Sequence, residues 1–271
     1  MGYRTILVEV TSDPALEPRL HTARRLARQF EAALIGMHVM PLPVIPAMWD
    51  GGGTISLGAE LIEAQRKANQ EQNERLRATF QDACGSDPSA RWQDAEGDPG
   101  RLLAEAARTV DLVVAAKHES LGLDAPAPIE ALAVGSGVPV LMVPANAYAE
   151  FGQTVLVAWN GAREATRAAH DALPFLSRAG LVILCAVGEE AAATLDAAAA
   201  MLHRHGVPVQ PQAIDGADGD AGEALLAQAR AHGADLLVMG AYGHARLREL
   251  VFGGATRHVL REARLPVLFG G

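Results

Sequence analysis

The stretch Thr154-Val-Leu-Val-Ala-Trp159 matches Thr5-Ile-Leu-Val-Glu-Val10 near the start of the chain. Four matches in one order are typical of two copies of one structural unit, and we therefore predict two domains, residues 1–148 and 149–271, with the connection near residues 146–152. The three other matches pair Gly97-Asp-Pro-Gly100 with Gly219-Asp-Ala-Gly222, Asp111-Leu-Val-Val114 with Asp235-Leu-Leu-Val238, and Pro139-Val-Leu141 with Pro266-Val-Leu268.

Each copy alternates short apolar runs with amphipathic helical patterns. The run 6–10 is typical of a buried parallel strand, and Leu20, Ala23, Ala27 and Phe30 then follow at helical spacing. Such alternation predicts an α/β fold: two doubly wound, Rossmann-like domains with mostly parallel sheets covered by helices on both faces. The predicted strands are 6–10, 33–39, 111–116, 138–143, 155–159, 181–187, 207–214, 236–239 and 266–269, and the main helices lie near 20–30, 59–83, 99–107, 164–178, 190–205, 221–232 and 252–262.

Composition excludes several classes of protein. Apolar residues make up 49% of the 271 residues, which excludes disordered and fibrous proteins. The net charge of −9 argues against nucleic acid as a partner. Two isolated cysteines, Cys84 and Cys185, favour a reducing compartment over a disulfide framework or a zinc site. No apolar run reaches the roughly 20 residues of a membrane span, and the first residues do not resemble a signal peptide, so we expect a cytoplasmic protein without a membrane partner.

Glycines surround the last predicted helix of the second copy. Gly240 and Gly243 follow a strand, and Gly253-Gly254 precedes the helix. Glycine permits positive φ and lets a backbone approach a ligand without a Cβ, and amides at a helix N-terminus bind anions. Ligands of open parallel sheets lie beyond the carboxyl ends of the strands. These features favour a phosphate site built from backbone, although a plain turn is the alternative.

The spacing Gly-x2-Gly-x9-Gly resembles the ATP-binding motif of the universal stress proteins, and the duplicated chain resembles a tandem member of that family. The resemblance implies that the second domain holds ATP or another adenine nucleotide, with Mg²⁺ as a candidate companion ion. It places the phosphates at the glycine motif and the adenine at the end of the domain's first strand. The residues that it places at the ligand are Ala158, Trp159, Asn160, Val187, Gly240, Gly243, His244, Gly253, Gly254, Ala255 and Thr256.

Several positions depart from the family pattern or stay open. Gly254 stands where the family has Ser or Thr, which removes a hydroxyl that Thr256 could replace. Asn160 stands where the family has Asp, and an amide can both donate to and accept from a purine. His244 faces either a phosphate or solvent, and Trp159 either packs in the core or stacks on a ligand.

The first copy has lost the motif. No Gly-x2-Gly turn follows its strand 111–116, and Thr11 occupies the position of the family's Asp. We therefore interpret the first domain as degenerate and mainly structural.

Nothing in the sequence forms a catalytic set. There is no Gly-x-Ser-x-Gly, no paired Cys and His at motif spacing, no His-Glu-x-x-His and no P-loop lysine, and the histidines lack partners for a metal site. We therefore expect a stress-response ATP-binding regulatory or sensor protein with no catalytic residues, at most a very slow ATPase. The alternative is a nucleotide-independent dimerisation or interaction protein of the same fold that has lost ATP binding. The resemblance also implies that the copies pack through 138–143 and 266–269 as an intrachain pseudo-dimer, and a homodimer of whole chains stays open.

Overall fold

The computed structural model describes residues 2–43, 55–117, 129–145, 150–216, 221–241 and 254–270. The strands are Thr5–Glu9 (β1), Ala33–Met40 (β2), Ala90–Glu96 (β3), Leu112–Ala116 (β4), Val140–Val143 (β5), Thr154–Trp159 (β6), Leu181–Val187 (β7), Val209–Ile214 (β8), Leu236–Gly240 (β9) and Val267–Gly270 (β10). The helices are Leu16–Phe30 (α1), Ile55–Cys84 (α2), Pro99–Ala107 (α3), Ile129–Gly135 (α4), Arg163–Asp171 (α5), Leu173–Leu176 (α6), Glu189–Ala192 (α7), Leu195–Arg204 (α8), Ala221–Ala231 (α9) and Gly254–Glu262 (α10).

All of these strands belong to one sheet with the order β3-β2-β1-β4-β5-β10-β9-β6-β7-β8. The two halves have the same strand order, and all neighbours are parallel except β5 and β10, which pair antiparallel with Leu141 opposite Leu268. This pairing is the contact between last strands that the family resemblance implied. Because it is antiparallel, the carboxyl edge of one half's parallel strands lies on the same side of the sheet as the amino edge of the other half's strands.

Side chains alternate between two hydrophobic layers, and each layer runs through both halves. Helices α1, α2 and α5 to α8 cover one face, which we call the α1 face, over residues such as Val8 and Val157. Helices α3, α4, α9 and α10 cover the other face, the α10 face, over Leu7 and Leu156. The predicted fold class, a doubly wound α/β fold in two parts, is confirmed. Among the described helices, none is long and apolar enough to cross a membrane.

Four details differ from the prediction, and the first is helix α4, which was not predicted. β3 was missed because its sequence ARWQDAE is polar, as expected of an edge strand that pairs only with β2. The helix predicted over 164–178 is divided into α5 and α6, since Pro174 cannot continue the hydrogen-bond ladder of α5. The helix predicted over 190–205 is divided at Thr194 into α7 and α8. The Thr194 hydroxyl donates to the Ala191 carbonyl at 3.1 Å and so competes with the backbone hydrogen bonds of a continuous helix.

The aspartates of the matched sequence pairs join strands at the amino edge of each half. The Asp111 carboxylate accepts hydrogen bonds from the amides of Arg4 and Thr5 at 2.7 and 2.8 Å. Asp235 does the same for the start of β6, accepting from the Gly152 amide at 2.8 Å and from two following amides. These repeated residues are therefore structural, since each fixes the start of the first strand of its half.

An aromatic cluster joins the halves on the α1 face. The Tyr3 hydroxyl donates to the Asp171 carbonyl at 2.6 Å, and the ring of Tyr3 lies 5.1 Å from that of Phe30 and 5.7 Å from that of Phe175. Burial, with the nearby carboxylates of Asp171 and Asp111, raises the pKa of Tyr3 well above its usual value. The phenol therefore stays a hydrogen-bond donor at neutral pH, and the halves are held together by more than the β5–β10 pair.

Candidate functional site

The candidate site lies where the strand order of the second half reverses. From β6 the chain proceeds outward through β7 to β8, and then crosses to β9 on the other side of β6. In open parallel sheets a ligand crevice forms outside the carboxyl ends of the strands at such a point. We call this place the second-half crevice, bounded on the α10 face by Ala158, Val187, Gly216 and the first turns of α9 and α10.

Alternation along the strands decides which predicted residues face this crevice. Ala158 and Val187 belong to the α10 face. Trp159 points to the opposite face, is 9% exposed, and donates its indole Nε1 to Thr194 Oγ1 at 2.9 Å. The structure therefore brings Ala158 and Val187 together and places the Trp159 ring in the core on the other side of the sheet, where packing is the interpretation that its contacts favour.

The backbone of Gly216 lies close to the Val187 side chain and forms one wall of the second-half crevice. Gly216, just after β8, lies so near that an added Cβ would stand 2.8 Å from Val187 Cγ1. Any larger residue at 216 would push on Val187 and narrow the crevice. Sequence reasoning did not identify Gly216, because nothing in its local sequence shows which side chain it approaches.

The first turns of α9 and α10 contact each other at the crevice. A Cβ added to Gly222 in α9 would lie 2.8 Å from the Ala255 carbonyl oxygen and 2.8 Å from His258 Cβ in α10. Both helices follow strands, so both begin at the carboxyl edge of the second half. Each N-terminus carries roughly half a positive charge and unsatisfied amides. Two such ends side by side make this edge attractive to an anion without any basic side chain.

The predicted residues of α10 differ in their placement. Gly254 is exposed at the first position of the helix, Ala255 is half-buried, and Thr256 is buried at 5% exposure. The hydroxyl that we expected Thr256 to supply in place of one at Gly254 therefore belongs to a side chain packed in the core. Gly243, His244 and Gly253 lie outside the described residues.

The structure shows a packing role for Gly240. Its φ is not positive. Instead, an added Cβ would lie 2.6 Å from the carbonyl carbon of Glu164 and 2.8 Å from the Ala165 nitrogen. Gly270 approaches α5 in the same way, with an added Cβ 2.5 Å from the Ala168 Cα. Gly240 is therefore required for close packing of α5 on β9 and β10.

Asn160 lies exposed in the loop after β6. Its Oδ1 accepts a hydrogen bond from the Ala162 amide at 3.1 Å, which holds the loop in a turn. Gly161 follows with φ +72°, a conformation that favours glycine. Because Oδ1 is used within the loop, the donor Nδ2 is the group of Asn160 that a ligand could use.

The corresponding place in the first half is filled by a carboxylate. Pairing of Ile6 with Leu112 and of Val155 with Leu236 puts Glu9 at the position of Ala158, and Ala116 at that of Gly240. Glu9 is fully buried, and its Oε2 accepts from the Ala116 amide at 3.0 Å. The sequence shows Glu9 inside an otherwise apolar strand, but only the structural alignment with Ala158 shows that Glu9 occupies the place of the second-half crevice.

A network of polar side chains holds the loop after β1 in place. Arg19 is fully buried and pairs with Asp13, Nη2 to Oδ2, at 2.8 Å, while Thr11 donates its hydroxyl to the same carboxylate at 2.6 Å. Burial would raise the pKa of Asp13, but the hydrogen bonds and charge of Arg19 outweigh it and hold the pKa below its usual value. Thr11, the counterpart of Asn160, is thus held by the protein itself, which is consistent with a degenerate first domain.

A surface groove and the arrangement of potential metal ligands complete the description of the second half and its surroundings. A groove of about 680 Å³ runs along α9 and α10, from Glu223 in the first turn of α9 to Ala234 and Leu265 beyond the ends of the two helices. Its lining includes both a basic and an acidic side chain, Arg230 and Glu262, and it does not include the predicted ligand residues Ala158 and Val187.

Within the described part of the chain, no three His, Cys, Asp or Glu side chains group in a way that could hold a metal ion.

Comparison with known proteins identifies the fold of the chain and the family that its second half matches. Residues 152–269 match the model of the universal stress protein family. A universal stress protein from Synechocystis sp. is 38% identical over 79 residues, a match that covers 29% of this chain and only 26% of that relative. The structure of a universal stress protein from Archaeoglobus fulgidus has a TM-score of 0.72 at 17% identity, covering 98% of this chain and 97% of its own.

A Pseudomonas aeruginosa protein described as functionally unknown has a TM-score of 0.59 at 17% identity, covering 98% of this chain and 92% of its own. At such identity these two structures show the fold alone, and they show it over both halves. Residues 152–269 therefore form a universal stress protein domain, and they follow a first half that has the same strand order.

Proposed function

We propose that this protein is a stress-response regulatory or sensor protein that holds one adenine nucleotide, ATP in the first instance, in its second domain, residues 149–271. The observation that carries the proposal is the contrast between the halves at one position. Glu9 fills the crevice of the first half with a buried carboxylate, whereas Ala158 leaves the same place in the second half without a large or charged side chain.

The described residues supply complementary surfaces for such a ligand. The first turns of α9 and α10 offer amides and positive dipole ends to the phosphates, with Gly254 and Ala255 at the start of α10. Ala158 and Val187 offer an apolar surface to the base, and Asn160 Nδ2 offers a hydrogen-bond donor beside it. Gly243, His244 and Gly253 complete the expected motif, and Mg²⁺ would accompany a triphosphate.

A binding role is preferred over catalytic turnover. Fast phosphoryl transfer requires cations and a positioned base around the transferring group. Among the proposed ligand residues that the structure describes, none carries a cation or a base at neutral pH: Ala158, Asn160, Val187, Gly254, Ala255 and Thr256. We therefore propose that hydrolysis is very slow or absent, and that the bound nucleotide reports on the state of the cell.

The test introduces glutamate, the residue of the first half at Glu9, at the aligned position of the second half, Ala158. Isothermal titration with Mg-ATP and with AMP compares the wild type with Ala158→Glu, which adds volume and a negative charge where the nucleotide would lie. The matched control is Ala197→Glu on the exposed side of α8, which changes the net charge equally. We expect at least a tenfold loss of affinity for Ala158→Glu, which corresponds to about 1.4 kcal/mol, and unchanged affinity for the control.

Equal affinity of the wild type and Ala158→Glu, with both variants folded by circular dichroism, would refute the proposed site. A wild type that binds neither nucleotide would refute the function itself and favour the nucleotide-independent interaction protein. The nucleotide content of purified, heat-denatured protein, measured by absorbance and chromatography, guards against a site that is already occupied.

A further inference from the structure

One lysine of the first half binds the end of a helix in the second half. Lys117 follows β4 directly, and its Nζ donates to the carbonyl oxygens of Arg261 at 2.7 Å and of Ala263 at 3.0 Å. These carbonyls lie at the C-terminal end of α10, where the last backbone acceptors have no partner within the helix. An ammonium group there satisfies two acceptors and also opposes the negative end of the helix dipole.

The antiparallel joint between the halves explains this contact. It brings the carboxyl edge of the first half, where β4 ends, to the side of the sheet that holds the amino edge of the second half. Helix α10 begins at the second-half crevice and returns to the start of β10 at that amino edge. One end of α10 therefore belongs to the proposed nucleotide site, and its other end belongs to the contact with Lys117.

Lys117 is itself held by the filled crevice of the first half. Its amide donates to the Val143 carbonyl at 3.3 Å, and the amide of the preceding residue, Ala116, donates to the buried Glu9 carboxylate at 3.0 Å. The buried carboxylate thus fixes the strand end from which Lys117 reaches α10. This gives the degenerate crevice a structural connection to the functional half.

The connection is not repeated in the opposite direction. The residue that corresponds to Lys117 in the second half is Ala241, because β4 and β9 align with Asp111 opposite Asp235. The second half instead extends Arg167 from α5, whose Nη2 donates to the Gly137 carbonyl at 3.2 Å in an exposed position beyond the end of α4. Only α10, the helix at the proposed ligand, receives a lysine at its last carbonyls among the described helices.

We propose that Lys117 is a positioning residue through which the first half holds α10 in the conformation that binds nucleotide. The inference rests on the proposed function of the second-half crevice. At nine residues α10 is shorter than a helix that is stable alone, so its first turn depends on packing and on contacts at its ends. Binding at the first turn and the Lys117 contact at the last turn should then strengthen each other, since coupling between two sites is reciprocal.

The chain contains only two lysines, Lys117 and Lys67, which provides a matched control. Lys67 is exposed on α2. We expect Lys117→Met to weaken Mg-ATP binding about fivefold by titration, at the low end of typical coupling. Lys117→Arg should restore most of the affinity, and Lys67→Met should leave it unchanged. In the wild type, saturating ATP should slow acylation of the Lys117 amine by an N-hydroxysuccinimide ester, read by mass spectrometry, without slowing that of Lys67.

The outcomes separate the coupling from the proposed function. If the wild type binds ATP and Lys117→Met binds it equally well, the coupling is wrong while the function stands. If the wild type binds no adenine nucleotide, the proposed function is wrong, and the coupling to nucleotide is overturned with it. Hydrogen exchange of the α10 amides in nucleotide-free protein gives a readout that needs no ligand: faster exchange in Lys117→Met, but not in Lys67→Met, supports the contact, and equal exchange overturns it.

Discussion

Replacing Gly240 by alanine should destabilise the protein even when no nucleotide is present. The added Cβ would lie 2.6 Å from the carbonyl carbon of Glu164 and 2.8 Å from the Ala165 nitrogen, both backbone atoms of α5. Ordinary contacts of a Cβ are about 3.5 Å or longer, so α5 must move by most of an ångström. This movement would also separate α5 from Gly270, which approaches the helix so closely that an added Cβ would lie 2.5 Å from the Ala168 Cα.

Overpacking of this kind costs typically 1–3 kcal/mol, and a clash with backbone belongs at the upper end, so we expect about 3 kcal/mol. For a chain of this length the melting temperature should fall by roughly 6–12 °C. The assay is thermal unfolding of nucleotide-free protein, followed by circular dichroism. The control is Gly180→Ala, where the added Cβ would be 3.5 Å from the Gln153 carbonyl oxygen, an ordinary contact.

We expect Gly180→Ala to melt within about 4 °C of the wild type, because removing a glycine at a compatible position changes stability by less than about 1 kcal/mol. If Gly240→Ala melts like the wild type and loses only nucleotide affinity, then the glycine serves ligand approach and the packing argument is wrong.

Two further predictions concern one partly buried and one buried ionisable group, Asp13 and Cys185. Because the pKa of Asp13 is lowered in the folded state, its contribution to stability is present above the unfolded pKa of about 3.9 and is lost as pH falls through the folded value. Asp13→Asn should therefore cost about 3 kcal/mol of unfolding free energy in urea at pH 7, with the gap to the wild type narrowing below pH 4, and a gap independent of pH would contradict the Arg19 pairing. Burial raises the pKa of the Cys185 thiol to about 11. Iodoacetamide at pH 8 should leave Cys185 unlabelled in native protein and label it in urea, and rapid native labelling would show that the thiol is accessible.

Much of the fold could be predicted because buried parallel strands are apolar over their whole length. β7 has the predicted bounds, Leu181–Val187, and α3 has the predicted bounds, Pro99–Ala107, with the Asp98 carboxylate capping its first turn by accepting from the Arg101 amide at 2.7 Å. The edge strand β3 was missed because only part of its surface is buried, so its sequence keeps no apolar run. Patterns of apolar residues therefore predict the buried strands of the sheet well and its edge strands poorly.

The candidate site was less accessible to sequence reasoning because it depends on which backbones and side chains meet. The glycine spacing pointed to Gly240, but only the approach of α5 shows that its missing Cβ serves packing. The family resemblance also pointed to Trp159, at the end of the first strand of the second half, but strand alternation places its indole against Thr194 on the opposite face of the sheet. Glu9 differs from Ala158 in the aligned strands, and only the hydrogen bond to the Ala116 amide shows that this difference closes one crevice.

The stoichiometry of nucleotide binding tests the central claim most directly. The second half is proposed to hold the ligand, while Glu9, Thr11 and Arg19 fill the first half with the protein's own polar groups. Titration of nucleotide-free wild type with Mg-ATP should therefore reach saturation at one nucleotide per chain, and Ala158→Glu should weaken that binding at least tenfold. Saturation at two per chain, or no binding at all, would contradict the account.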